Sequence, residues 1–179
     1  MKKIILSAIA VMAFGFTNAQ GVKFGAKAAL NIANLTGDVD DASSLTAFQV
    51  GAFAEFKVSE KFAVQPELMY SAQGADSDGE KLNLNYINIP VMAKFYVAKS
   101  FNLEVGPQIG FLVSAKSEGE DIKDFVSSTD FGLNFGAGYD FTENLSAGLR
   151  YNLGLSNVNE EGDGSIKNSV FSVSLGYKF

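Results

Sequence analysis

The last ten residues of the chain form the most restrictive pattern in the sequence. They read V-F-S-V-S-L-G-Y-K-F, from Val170 to Phe179. Successive side chains of a β-strand point to opposite faces, so this segment predicts a strand with one wholly apolar face. That face carries Phe171, Val173, Leu175, Tyr177 and Phe179, whereas the other carries Val170, Ser172, Ser174, Gly176 and Lys178. Such a strand needs an apolar environment on one side only.

The same alternation recurs along the chain and predicts eight strands. They cover residues 22–32, 48–58, 62–73, 86–97, 101–115, 130–141, 145–155 and 170–179. Long polar stretches alternate with short turns between them, and Phe62, Phe101 and Leu145 each open a strand directly after a short turn. An even number of two-faced strands with this alternation of connections is typical of outer-membrane barrels. We therefore expect an all-β fold, an eight-stranded antiparallel up-and-down transmembrane β-barrel.

The composition of the two faces indicates which of them contacts lipid. The apolar faces contain no charged residue, amide or glycine, and they include Val113 and Ala115 of the fifth strand. A charge facing lipid would cost about 2–4 kcal/mol at the bilayer midplane. An inverted, lipocalin-like barrel with an apolar interior fits the alternation equally well. It would, however, place most strand glycines on solvent-facing positions, where they pack against nothing.

Aromatic residues lie toward both ends of the predicted outer face. Two girdles are expected where rings meet the lipid headgroups. One contains Phe48, Tyr70, Phe111, Phe131, Tyr151 and Phe171 near the long loops, and the other contains Phe62, Phe101, Tyr139, Phe141, Tyr177 and Phe179 near the short turns. We interpret Phe179 and Tyr177 as an assembly signal read by the outer-membrane assembly machinery.

All three prolines, Pro66, Pro90 and Pro107, fall inside predicted strands. Proline removes a hydrogen-bond donor from the ladder and is normally confined to edges or bulges. A closed barrel has no edge, so local bulges or bends are expected at these positions.

The N-terminal residues 1–19 have the form of a secretory signal peptide. Lys2 and Lys3 precede an apolar run from Ile4 to Phe16, and the small residue Ala19 suits cleavage before Gln20. The barrel domain is then 20–179. Removal of the two lysines takes the net charge from −6 to −8. An acidic chain whose only arginine is Arg150 argues against nucleic acid as a partner.

The chain contains no cysteine and no histidine. This excludes disulfides, thiol chemistry, Ser-His nucleophilic sites and histidine-ligated metals. A carboxylate pair from Glu55, Glu67 and Glu104 remains the main route to enzyme chemistry. Buried carboxylates are more often paired with bases. No enzymatic activity, cofactor or resident metal is therefore predicted.

The charges on the predicted inner faces nearly cancel. They are Lys23, Lys27, Lys57, Lys94, Arg150 and Lys178 against Glu55, Glu67, Glu104, Asp130 and Asp140. In a barrel this narrow, such a balance indicates a lumen plugged by ion pairs. Folding back about the turn at 98–100 places Lys94 opposite Glu104, and we expect these two side chains to form a direct cross-strand pair.

The three proline-containing segments resemble those of a known family. They read Gln65-Pro66-Glu67-Leu68, Tyr86-Ile87-Asn88-Ile89-Pro90-Val91 and Gly106-Pro107-Gln108-Ile109-Gly110. In order and spacing, and over essentially the whole mature chain, they are similar to the PorT-like outer-membrane β-barrel family of Bacteroidetes. The resemblance implies a small OmpA/OmpX-like barrel inserted by the outer-membrane assembly machinery. The family's named member serves protein secretion, but the resemblance does not extend that role to this chain.

The long loops carry most of the acidic residues. Asp76-Ser77-Asp78-Gly79-Glu80 faintly resembles a calcium loop but lacks the full ligand spacing. The leading hypothesis is a structural or interaction protein of the outer membrane with a plugged lumen and acidic extracellular loops. Its partners would be outer-membrane lipid, the assembly machinery and an extracellular partner that the sequence does not identify. The alternatives are a binding module for cations, lipid headgroups or a partner protein, and a narrow pore.

Overall fold

The computed structural model describes residues 22–37, 43–77, 80–117, 120–123, 126–158 and 164–179. The predicted signal peptide lies outside these residues. The strands are β1 (Val22–Gly37), β2 (Ser43–Lys57), β3 (Phe62–Ser77), β4 (Glu80–Tyr96), β5 (Phe101–Ser117), β6 (Glu120–Asp121), β7 (Thr129–Asp140), β8 (Leu145–Gly154) and β9 (Ile166–Lys178). Within these ranges, no helix is long and apolar enough to cross a membrane.

Eight of these strands close into an antiparallel barrel. Each long strand pairs with its neighbours in chain order, and β9 returns to pair with β1 from Gly25↔Lys178 to Gly37↔Ile166. The two-residue strand β6 pairs with the end of β5 at Lys116 and Ser117, beyond the last β5–β7 pair. Closure lets every strand hydrogen-bond on both sides, which lipid demands of a membrane-spanning sheet. The predicted eight-stranded up-and-down barrel is confirmed.

The two ends of the barrel differ in their connections. At one end, here called the turn end, the short turns 58–61, 97–100 and 141–144 repeat one hydrogen-bond pattern. In the first, the amides of Val58 and Ser59 both donate to the carbonyl of Phe62 at 3.0 Å. The opposite end is called the loop end. There β3 and β4 continue to Ser77 and Glu80, so most of the predicted polar loop 74–81 is paired strand.

The side chains divide between the two faces as the alternation predicts. Leu30, Val173 and Leu175 on the outside are 63%, 48% and 60% exposed, whereas Asn31 inside is fully buried. Soluble proteins rarely expose a continuous apolar surface larger than a few hundred Å². A complete apolar belt around the barrel therefore has lipid as its natural environment. The inverted arrangement, with an apolar interior throughout, does not occur.

One β-bulge reverses the alternation near the end of β5. Asn85 pairs with Ser114, but Tyr86 pairs with Leu112, so Val113 is the extra residue. Val113 remains exposed on the outside, whereas Ala115 is completely buried. The prediction that Ala115 faces lipid was wrong because one inserted residue turns every later side chain to the other face.

The expected bulges at the three prolines are also absent. The pairing registers of β3, β4 and β5 are unchanged across Pro66, Pro90 and Pro107. Each proline instead has a ladder partner on one neighbouring strand and none on the other. Pro66, for example, pairs with Val91 of β4, but no pair joins it to β2. The missing N–H interrupts one ladder without shifting its register.

Glycines on the inner face make room for long polar side chains. A Cβ on Gly136 would lie 2.8 Å from Glu104 Oε1, and one on Gly132 would lie 2.6 Å from Asn152 Nδ2. Real Cβ atoms do not approach other atoms so closely. The glycines are therefore part of how a barrel this narrow accommodates a charged interior.

Candidate functional site

The centre of the lumen is organised around Arg150 of β8. Its Nη1 and Nη2 donate to the two carboxylate oxygens of Glu67 at 2.8 and 2.9 Å. Its Nε donates to Glu104 Oε1 at 2.8 Å. The planar guanidinium suits this forked arrangement, which combines charge with directional hydrogen bonds. Arg150 thus joins β3, β5 and β8 across the inside of the barrel.

Two further donors complete the central group. Lys27 Nζ donates to Glu67 Oε1 at 2.6 Å, and Gln65 Nε2 donates to the same oxygen at 2.7 Å. Arg150 and Lys27 balance Glu67 and Glu104, so the group carries no net charge. All four side chains are nearly or fully buried. Isolated, each charge would be strongly destabilising, whereas together they are hydrogen-bonded and neutral.

A second neutral group lies closer to the turn end. Lys94 Nζ donates to Glu55 Oε2 at 2.8 Å, and Lys178 Nζ donates to Glu55 Oε1 at 3.1 Å. Lys178 also contacts Asp140 Oδ1 at 3.3 Å. The hydroxyl of Tyr96 lies 3.3 Å from both Glu55 Oε2 and Asp140 Oδ2. Two lysines therefore balance two carboxylates.

The expected ion pair between Lys94 and Glu104 does not form. The two residues are register partners on β4 and β5, and both are buried. Their charged ends, however, go to other strands: Lys94 contacts Glu55, and Glu104 contacts Arg150. Cross-strand register places the Cα atoms only. In a narrow lumen, long side chains reach across to groups that offer more hydrogen bonds.

Above the two ion-pair groups lies a polar layer of amides and hydroxyls that also contains the carboxylate of Asp130. Asn31 of β1 joins β3 and β9, because its Nδ2 donates to Ser71 Oγ at 3.1 Å and its Oδ1 accepts from Ser172 Oγ at 2.9 Å. On the other side of the lumen, Asn152 donates to Asn134 at 3.0 Å. Asp130 also lies on the inner face and accepts a hydrogen bond from Ser156 Oγ at 3.1 Å. This layer separates the ion pairs from the loop end.

An apolar cluster lies inside the barrel toward the loop end. Its members are Leu35, Leu84, Tyr86, Leu112, Ala115, Val126 and Val158, with Leu82, Ile122 and Ile166 packed against them. The sequence analysis predicted no such cluster, because Leu35, Leu84 and Val158 lie outside the strands that it predicted. It also placed Ala115 on the outer face. One signal was present: in K-L-N-L-N-Y, residues 81–86, leucines alternate with asparagines. The bulge that turns Ala115 inward could not be read from this pattern.

Little empty space remains inside the barrel wall. Two internal cavities measure about 10 and 20 Å³. A site of this size holds about one water molecule. Ion pairs, amides and apolar side chains thus fill the lumen between the charged group around Glu55 and the loop end.

No group of three or more acidic residues able to hold a metal ion occurs in the described part of the chain. The calcium-like tract 76–80 includes residues 78 and 79, which lie outside the described ranges. The described residues thus contain no candidate metal centre.

A sequence-family comparison accords with this geometry. The model for the outer membrane protein beta-barrel domain matches residues 18–160, which is most of the chain. The chain belongs to this family. It is thus an outer-membrane β-barrel protein, and the apolar belt of this domain faces lipid. No curated protein matches this chain in sequence.

Solved structures share the barrel fold at low sequence identity. Neisserial surface protein A superposes with a TM-score of 0.61 at 17% identity, covering 89% of this chain and all of that one. Ail, the attachment invasion locus protein of Yersinia pestis, gives a TM-score of 0.52 at 13% identity, covering 88% of this chain and 97% of its own. In complex with the heparin analogue sucrose octasulfate, Ail gives 0.50 at 17% identity, with the same coverage. At these identities the likeness concerns the fold alone.

Proposed function

We propose that this outer-membrane barrel does not conduct and acts through its surface, as a structural or interaction protein. The filled lumen is the observation that carries the proposal. Two neutral ion-pair groups, around Arg150 and around Glu55, lie beneath the apolar cluster that contains Tyr86 and Leu112. A hydrated ion would have to break both ion-pair groups and then cross the apolar cluster, whose side chains exclude water.

The arrangement of carboxylates argues against catalysis in the lumen. Glu67 accepts hydrogen bonds from Arg150, Lys27 and Gln65. Glu55 accepts from Lys94 and Lys178. A general acid or base must reach a proton on its substrate. These carboxylates instead accept hydrogen bonds from cationic partners, which leaves neither of them placed to exchange a proton with a substrate.

The interaction surface is assigned to the loops at the loop end. In outer-membrane barrels the short turns face the periplasm and the longer loops face outward. The loop end would then display the acidic segments around Asp38, Glu118 and Glu160 to the exterior. These residues lie outside the described ranges, so this assignment rests on sequence charge and barrel orientation. An extracellular partner with a basic surface suits it.

Export and insertion complete the proposal. Residues 1–19 would direct export and be removed near Ala19, and Tyr177 with Phe179 would be read by the outer-membrane assembly machinery. Both rings are exposed and lie 5.7 Å apart, centroid to centroid. The three proline segments support a place among PorT-like barrels of Bacteroidetes. Outer-membrane lipid would surround the apolar belt.

Planar-bilayer conductance tests the proposal. The purified barrel, reconstituted beside a channel-forming porin as positive control, is expected to give no single-channel steps. Circular dichroism and heat-modifiable migration on gels verify that the reconstituted protein is folded. Discrete steps from folded protein would refute the plugged lumen and favour the narrow pore.

A further inference from the structure

We propose that the mouth of the barrel at the turn end binds a phosphomonoester group. The inference concerns the opposite end from the loops and does not depend on the non-conducting role. The mouth holds a cavity of about 650 Å³, bordered by the ends of β1, β2 and β4 and by the turns 97–100 and 141–144. Small-molecule sites in proteins are typically about 300–1,000 Å³. This cavity is far larger than those deeper in the lumen.

The floor of the cavity is electrically neutral. Glu55, Asp140 and Lys178 line it and are already engaged with one another and with Lys94. The hydroxyl of Tyr96 lies within 3.3 Å of both carboxylates. The floor therefore offers no free carboxylate to neutralise charges higher in the mouth.

The rim of the cavity is positive. Lys23, Lys57 and Lys99 line it, all three are exposed, and none enters any ion pair among the described residues. Lys23 lies opposite Glu55 in the β1–β2 register, but the oxygens of Glu55 are taken by Lys94 and Lys178. Lys57 Nζ lies 5.6 Å from the ring centroid of Tyr96, which points its cation toward the lumen axis.

The charge of the rim matches a phosphomonoester. Three lysines against the single remaining carboxylate, Glu143, leave two positive charges in a chain whose net charge is −6. A phosphomonoester carries about −1.5 to −2 charges at neutral pH and three acceptor oxygens. Each phosphate oxygen can accept a hydrogen bond from a different lysine ammonium group. A carboxylate ligand would carry only about half of the negative charge of a phosphomonoester. Lysine binds phosphate as a point charge.

Two sources present this chemistry to the mouth: a soluble phosphate ester and the headgroup of a phosphatidic-acid-type lipid. The cavity opens on the lumen axis, inside the strand wall, whereas lipid surrounds the outside. This placement favours the soluble source.

Isothermal titration of the detergent-solubilised full barrel with glycerol 3-phosphate and with inorganic phosphate tests the site. We expect saturable binding at one site per barrel. The triple variant K23Q/K57Q/K99Q should weaken it about tenfold or more, since each tenfold corresponds to ~1.4 kcal/mol. The control K116Q/K123Q removes two exposed lysines near the loop end that do not line the cavity and should leave binding unchanged.

The outcomes separate the alternatives. Absence of saturable binding, or an equal loss in the control, would overturn the site. Phosphate-induced NMR shifts in the unmodified protein should concentrate at Lys57, Tyr96 and Lys99, and shifts confined to the loop end would also overturn it. Binding to vesicles containing phosphatidic acid, without binding of glycerol 3-phosphate, would keep the site but assign it to lipid.

Discussion

The guanidinium of Arg150 holds both carboxylate oxygens of Glu67, at 2.8 and 2.9 Å. The residues are 83 positions apart, on strands β8 and β3, which are not neighbours in the barrel wall. The pair therefore spans the lumen. It ties opposite sides of the barrel together through side chains, whereas backbone pairing ties only adjacent strands.

Replacing Arg150 by methionine should strongly destabilise the barrel. Glu104, which has no other cationic partner among the described ion pairs, would remain charged and buried. Breaking a buried ion pair from one side costs about 3–5 kcal/mol. Urea unfolding in detergent micelles measures this, and the double variant R150M/E104Q should recover part of the loss. An R150M protein as stable as the unmodified barrel would contradict the structure.

Double-mutant cycles should separate the two partners assigned to Lys94. The cycle of K94M with E55Q is expected to give a coupling of about 0.5–3 kcal/mol, because these groups are in direct contact. The cycle of K94M with E104Q should give a smaller coupling, since Glu104 forms its ion pair with Arg150. Unfolding free energies of the single and double variants supply both values. A larger coupling for K94M with E104Q would instead support the Lys94–Glu104 ion pair expected from the strand register.

Arginine on the outer face should destabilise in a depth-dependent way. Leu149 lies midway along β8 and Phe141 lies in a short turn, and both are about half exposed. L149R is expected to cost about 2–4 kcal/mol and F141R about 0–1 kcal/mol in lipid. Folding equilibria in lipid vesicles measure the difference. Equal effects at the two positions would argue against a membrane-spanning belt.

The bulge in β5 makes Ala115 and Val113 respond differently to added volume. Ala115 is fully buried, whereas Val113 is 43% exposed. A115L should cost about 1–3 kcal/mol through overpacking. The matched control V113L enlarges a lipid-facing side chain and should change stability little. Thermal unfolding of both variants checks the prediction, and a neutral A115L would place that residue outside the barrel.

Deletion of Phe179 should block assembly in cells more than folding in vitro. The ring is 77% exposed and contacts Tyr177, so it contributes little to packing. Most of the heat-modifiable form should disappear from the outer membrane. Urea-denatured protein should still refold into detergent. The control F171S removes another exposed ring without touching the terminus, and equal loss from it would argue against a terminal signal.

Local sequence patterns predicted most of the fold. Strand alternation and the repeated turns before Phe62, Phe101 and Leu145 placed every long strand, because both are properties of a few consecutive residues. They also identified Arg150, Glu67 and Lys94 as inner-face residues. The partners of these residues were less accessible. Lys94 lies opposite Glu104 in register but bonds Glu55, because the choice depends on distances across the lumen.

By itself, the sequence determined that the chain forms a barrel, which face is apolar and that the inner charges nearly cancel. Each follows from the two-residue period of a strand and from the cost of exposing charge to lipid. Only the tertiary structure decided which charges pair, where the β5 bulge turns Ala115 inward and how the apolar cluster fills the loop end. These depend on closure, because closing the sheet brings side chains from non-adjacent strands within a few ångströms of one another.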